Sequence, residues 1–188
     1  LADLDVVNPY FRSRERRDLL SHEGVRLIAT SQACVDADVP AMPAEVNVLF
    51  QDQDLWGVLD IGGGGVGARV LARYRPQLLG SQCRVLFVLN ARRPQTRDVE
   101  GALASLEEIQ AVTGLRVTGL VDNTHLCRET ELADLEAGAA LARTVSSQTG
   151  LPVVCHVIQE ELIDQAEGMP GPLFPVRLYM NRPWEMDE

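Results

Sequence analysis

The sequence predicts an α/β fold with three layers: a mainly parallel sheet with helices on both faces. Two observations carry this prediction. Short apolar runs rich in Val, Ile and Leu recur along the chain, and most are continuous rather than alternating, as in strands buried on both faces. Segments with helical spacing lie between them, so strand and helix alternate in the manner of β-α units with right-handed crossovers. With 188 residues, 46% of them hydrophobic, the chain can bury one substantial core. Residues 1–188 therefore read as a single α/β domain, with 168–188 as a Pro-rich C-terminal arm.

The first predicted strand covers 4–7 and ends near Asp5 and Asn8. A basic amphipathic helix follows over 11–22, then strands over 25–29 and 56–61. The second of these closes on Asp60 and runs into four consecutive glycines, Gly62–Gly65. A helix over 66–79 carries Val66, Val70, Leu71 and Tyr74 at helical intervals. The next strand, 84–89, leads to a helix over 98–113 with Leu103, Leu106, Ile109 and Val112 on one stripe and Gly114 as its C-cap. A strand over 116–121 precedes a helix over 129–149, which turns Leu132, Leu135, Ala139, Leu141 and Val145 inward and stops at Gly150. The last predicted strand is 151–158. Four of the ten prolines fall in 168–184, which reads as ordered but irregular.

Composition narrows the function classes. Acids outnumber bases 27 to 17, a net charge of −10 that argues against a general nucleic-acid binder. No apolar run approaches the roughly 18 residues of a membrane span. The four cysteines, Cys34, Cys83, Cys127 and Cys155, show no C-x-x-C pairing, so a reduced, cytoplasmic setting is expected. A Cys₂His₂ zinc site from His125, Cys127, Cys155 and His156 is disfavoured, because Cys155 and His156 are adjacent in a strand and face opposite ways.

In open parallel sheets ligands sit at the carboxyl ends of strands, so the residues just past each strand bear inspection. The glycine turn there has two functional readings. Gly62, Gly64 and Gly67 fit G-x-G-x-x-G, the dinucleotide fingerprint, with Arg92 and Arg93 after the next strand to receive a 2′-phosphate. Against it, Asp60 puts a carboxylate beside the pyrophosphate position, and the next strand ends in Asn90 rather than an acid. In the second reading Asp60 is the main residue. An acid closing an apolar strand can order a magnesium ion through water beside nucleotide phosphates. The glycines then let backbone N–H groups approach the γ-phosphate, and Asp5 and Asn8 could reach the same place. A plain strand-to-helix turn, with Asp5 and Asp60 as strand-end caps, is the bland alternative.

The segments LADLDVVNPYFRSRE (1–15), VLDIGGGGVGARVLARY (58–74), VLNARRPQT (88–96), VTGLVDNTHLCRET (117–130) and FPVRLYMNRPWE (174–185) resemble, in order and over nearly the whole chain, a bacterial and archaeal family with a CobQ/CobB/MinD/ParA-type nucleotide-binding domain. The resemblance implies a P-loop NTPase fold of MinD/ParA type that binds ATP and Mg²⁺ and dimerises around nucleotide. Asp5 resembles the switch I aspartate, expected to orient the attacking water. Asp60 resembles the Walker B aspartate, expected to hold the magnesium shell. Gly62 and Gly63 are expected at the γ-phosphate and Asn123 at adenine, where a carboxamide suits a base edge.

Two departures stand out. Gly64 and Gly65 replace acids of the family pattern, which removes any metal or water role at those positions. No G-x-x-x-x-G-K-[ST] segment occurs, and the chain opens on Leu1 at about the family's second strand. The expectation is a MinD/ParA-type fold without its first strand and P-loop: a hole in the sheet, marginal stability, and weakened ATP binding unless that loop lies upstream. The expected function is an ATP-binding protein, a slow Mg-dependent ATPase switch when complete, acting through a homodimer or a protein partner. The alternatives are a nucleotide-free scaffold or partner-binding module, and an NAD(P)-binding Rossmann-like protein using Gly62, Gly64 and Gly67. The arginines at 12, 14, 16 and 17 are read as a solvated face, and so are Arg92, Arg93 and Arg97.

Overall fold

The structure, a computed structural model, describes residues 1–5, 7, 13–29, 44–52 and 54–179. Asn8, Arg12, Cys34 and the tail from Met180 onward lie outside the described residues. Cα packing divides the chain into two compact units, Leu1–Gln82 with Tyr179–Glu188, and Cys83–Leu178. Both are α/β, and the strands form two parallel sheets.

The first unit holds β1 (Ala2–Asp3), β2 (Ile28–Ala29) and β3 (Leu59–Asp60) in the order β2-β1-β3. Each is two residues long. Ladder partners are Ala2 with Leu59 and Asp3 with Asp60, so the strand carrying Asp3 lies beside the one carrying Asp60. A 3₁₀ turn (Ser13–Arg16) leads into α1 (Arg17–His22), which is shorter than the helix expected over 11–22. Unforeseen in the sequence is α2 (Val48–Gln51), preceded by a 3₁₀ turn (Ala44–Asn47). The helix expected over 66–79 is two helices, α3 (Gly64–Ala68) and α4 (Leu71–Leu79). Four of the five α3 residues are Gly or Ala, with no side chains large enough to carry the stripe into α4. Tyr74 of α4 is buried and stacks on Phe50 of α2, with ring centroids 5.8 Å apart.

The second unit holds β4 (Leu86–Leu89), β5 (Gly119–Asp122), β6 (Val153–Gln159) and β7 (Leu173–Val176), all parallel and in sequence order. Between them run α5 (Val99–Thr113) and α6 (Leu132–Thr149). The core joins Phe87, Leu89 and Leu120 of the sheet to Ala102 and Leu106 of α5 and to Leu141, Ala142 and Val145 of α6. Both long helices therefore cover the same sheet face, as successive right-handed crossovers in one direction require.

Local chemistry fixes the helix ends. Asp98 caps α5 by accepting the Gly101 N–H at 2.8 Å. Glu131 and Asp134 form a reciprocal capping box on α6. Gly114 and Gly150 end the two helices in left-handed conformations, as their positions predict.

The tail expected to be irregular contains β7. Leu173, Phe174 and Val176 supply an apolar run, and Pro175, which cannot donate a ladder hydrogen bond, is tolerated because β7 is an edge strand.

Candidate functional site

The first unit brings Asp3, Asp5 and Asp60 to one end of its sheet. Asp60 closes β3, Asp3 is its ladder partner, and Asp5 follows two residues past β1. The glycine turn lies against this group. A Cβ on Gly62 would overlap Asp5 Oδ1 and sit 2.9 Å from Asp5 Cγ. One on Gly67 would overlap the Gly62 backbone, so α3 is pressed onto the turn that precedes it. Gly63 is open, with nothing within 4 Å of such a Cβ, and Gly64 is left-handed with φ +74°. Glycine is thus required by close approach at 62 and 67 and by conformation at 64.

Each acid has a different setting. Asp5 Oδ1 accepts the Val7 N–H at 2.9 Å. Asp60 is solvent-exposed on one side and accepts the Ser13 hydroxyl on Oδ2 at 2.9 Å. Partial burial pushes the Asp60 carboxyl above its ordinary range, and the neighbouring charges of Asp3 and Asp5 add to this, against the lowering effect of Ser13. Asp3 is buried at 2% exposure, and its Oδ2 accepts the Arg14 N–H at 3.3 Å and faces the Arg14 guanidinium at 3.7 Å. Asp3 Oδ1 is buried without a partner among the described residues. Arg14 is therefore not part of the solvated face expected from the basic run, because the turn points it inward at a buried carboxylate.

This concentration of negative charge suits a hydrated cation and opposes bare phosphate. All 17 basic residues are arginines, so the chain has no lysine to grip a phosphate. Among the described residues no group of three or more His, Cys, Asp or Glu side chains is arranged as a metal cage. A carboxylate that reaches Mg²⁺ through its water shell needs no such cage.

In the second unit Asn123 follows β5. Its N–H donates to Leu89 O at 2.8 Å, and its half-buried carboxamide has no hydrogen-bond partner among the described residues. Around it is a polar network with no counterpart in the sequence reading. Asp122 Oδ2 and His156 Nδ1 are 2.8 Å apart, both side chains nearly fully buried. Asp122 Oδ1 accepts the Thr124 N–H at 3.1 Å and the Thr124 hydroxyl at 2.7 Å. Gly138 of α6 makes room for this pair, since a Cβ there would overlap Thr124 Oγ1 and lie 2.5 Å from Asp122 Oδ1. The available signal was a histidine inside an apolar strand, which must find a polar partner.

Arg92, expected in a solvated face, instead bonds buried Asp134 through Nε at 2.6 Å. The Glu131 backbone N–H and then Arg92 hold the Asp134 carboxyl below its ordinary range, against burial. Burial and the charge of Arg93 lower the His125 pKa, and its Nδ1 accepts the Cys127 N–H at 3.1 Å, so the ring is neutral with its proton on Nε2. His156 is committed to Asp122. Cys83, Cys127 and Cys155 form no disulfide among the described residues.

Of the residues the sequence singles out, the first unit thus groups Asp5, Asp60, Gly62 and Gly63, the second unit holds Asn123, and Asn8 lies outside the described residues. No helix among the described residues is long and apolar enough to cross a membrane. No family model, curated protein or solved structure matches the chain.

Proposed function

We propose that this chain is a nucleotide-binding protein of MinD/ParA type that uses Mg²⁺-ATP. Asp60 would hold the water shell of the cation, Asp5 would orient the attacking water, and the backbone of Gly62 and Gly63 would line the γ-phosphate. Asn123 would read the adenine edge. Bound Mg²⁺ would supply charge neutralisation for phosphoryl transfer. The protein's own contribution is positional: Asp5 is fixed by the Val7 N–H and by the glycine packed against it. Slow hydrolysis would then switch a homodimer or partner surface.

The observation that carries this reading is the pairing of β1 with β3. It sends Asp5 and Asp60 off the sheet at the same end, with Gly62 against Asp5. Asp60 itself is exposed, with Asp3 and Asp5 as acidic neighbours, which is the local charge that supports a cation there.

The dinucleotide reading has one observation in its favour. Gly67 closes tightly on Gly62, as the third glycine of that fingerprint does. Asp60, a carboxylate at the end of β3 just before the glycine turn, favours the ATP reading, since it would stand beside a pyrophosphate.

Calorimetry with Mg²⁺-ATP, ADP and NADPH tests the proposal, on this chain and on any N-terminally longer form its gene encodes. ATP binding that requires Mg²⁺ and is lost in Asp60→Asn is expected. NADPH binding that is indifferent to Asp60→Asn would overturn it, and absence of any binding favours a nucleotide-free scaffold.

A further inference from the structure

The loops that leave β4 and β5 are laced together at the carboxyl end of the second unit's sheet. Asn123 N–H donates to Leu89 O at 2.8 Å, Ala91 N–H to Thr124 Oγ1 at 3.0 Å, and Asn90 Nδ2 to His125 O at 3.4 Å. Asn90 and Thr124 are buried, and Asp122 holds Thr124 in turn. These buried bonds fix the loops at the place where parallel sheets hold ligands.

Two donors stand on this frame. Arg92 is paired with Asp134 and Arg97 with Asp98, but Arg93 between them is exposed, and its guanidinium has no partner among the described residues. Its backbone is fixed from both sides: Arg93 N–H donates to Asn90 O, and Arg93 O accepts the Thr96 N–H, each at 3.0 Å. His125 is half-buried. Its Nδ1 accepts the Cys127 N–H at 3.1 Å, which leaves Nε2–H a donor without a partner among the described residues. Polar groups that are oriented and partly desolvated yet unpaired are what a ligand's acceptors would meet. After burial, the Arg93 charge is what opposes protonation of this ring, so the two groups are neighbours.

We propose that Arg93 and His125 form an oxyanion site for the phosphate group of a small phosphate monoester. The Arg93 fork offers two parallel N–H groups and the neutral imidazole a third. A phosphate group presents three acceptor oxygens to them, whereas a carboxylate has two. The net charge of the chain is −10, so an anion is drawn by this local charge and not by the protein as a whole. The site lies wholly in the second unit and uses neither Asp60 nor the glycine turn, so it stands or falls apart from the proposed function.

The test is an NMR titration of the 188-residue chain with inorganic phosphate at constant ionic strength and about pH 8, where the dianion predominates. The Cε1–H signal of His125 should shift saturably, while that of His22 stays still. Arg93→Gln should weaken phosphate binding at least about tenfold, and His125→Ala, followed on the Arg93 Nε–H signal, about fivefold. Arg116→Gln, at another exposed arginine of the same unit, and Asp60→Asn should keep wild-type affinity. Absence of a saturable His125 shift, or equal weakening by Arg116→Gln, overturns the site. Acetate should bind at least about tenfold more weakly than phosphate, and equal affinity overturns the choice of phosphate. NADPH that binds at least about a hundredfold more tightly than phosphate, and loses this in Arg93→Gln, overturns the proposal in favour of a dinucleotide's 2′-phosphate. Without any ligand, Arg93→Gln should raise the His125 titration midpoint, because a charge that lowers it is gone. An unmoved midpoint refutes the pairing of the two groups.

Discussion

Replacing Gly62 or Gly63 by alanine separates a required glycine from a permissive one. At Gly62 the new methyl would stand 2.9 Å from Asp5 Cγ, well inside the ~3.5–4.0 Å of ordinary carbon contact. The Asp5 side chain must rotate away and give up the Val7 N–H. A hydrogen bond to a charged group contributes about 1.5–3 kcal/mol, so Gly62→Ala should cost about 2 kcal/mol of local stability. At Gly63 nothing lies within 4 Å, and φ −65° with ψ 156° is open to any residue. Gly63→Ala should be neutral or stabilise by up to about 1 kcal/mol through the unfolded chain. Native-state hydrogen exchange at the Leu4 amide, which donates to Asp60 O at 2.9 Å, reads this locally. Exchange should quicken about thirtyfold in Gly62→Ala and hold or slow in Gly63→Ala. Equal behaviour of the two variants would refute the packing of the turn against Asp5.

Asp60 titrates above its reference value of 3.8, so its folded-state contribution is fully present below that pH and is lost as pH rises through the raised value. Asp60→Asn should therefore be more stable than wild type at about pH 7, with the gain vanishing below pH 3.8, as denaturant midpoints at the two pH values will show. Asp134 is the opposite case: its stabilisation is present above 3.8 and lost as pH falls through its depressed value. Acid titration followed by helix ellipticity should show Asp134→Ala more damaging than Arg92→Gln, since it removes the bond to the Glu131 amide as well as the one to the guanidinium. Gly138→Ala should lower the urea midpoint. Overpacking against Thr124 and Asp122 costs about 1–3 kcal/mol, which exceeds the up to ~1 kcal/mol gained from helix propensity.

Elements with repeating chemistry were legible in the sequence. The stripes of α5 and α6 and their terminal Gly114 and Gly150 predicted two helices closely, because capping and periodicity are local. The centres of β4, β5 and β6 were legible for the same reason. Strand β7 was hidden by Pro175 and by the prolines just before it, since a short apolar run becomes a strand only when a neighbour offers an edge. The approach of Asp5 to the glycine turn could be anticipated from strand-end logic. The inward turn of Arg14, the Arg92–Asp134 pair and the Asp122–His156 pair could not, because each joins residues far apart in sequence.

The brevity of β1, β2 and β3 bears on how a ligand of this protein would be found. A ligand at Asp60 that is present at about a hundredfold its dissociation constant would stabilise its unit by about 2.7 kcal/mol. Helix ellipticity comes chiefly from α5 and α6, which belong to the other unit. A melting screen read by helix ellipticity therefore weights that unit more heavily than the one that carries Asp60. The same ligand should slow exchange at the Ala2 and Leu4 amides, which donate to Val58 O and Asp60 O, about a hundredfold. For this chain the informative screen is one resolved to single amides.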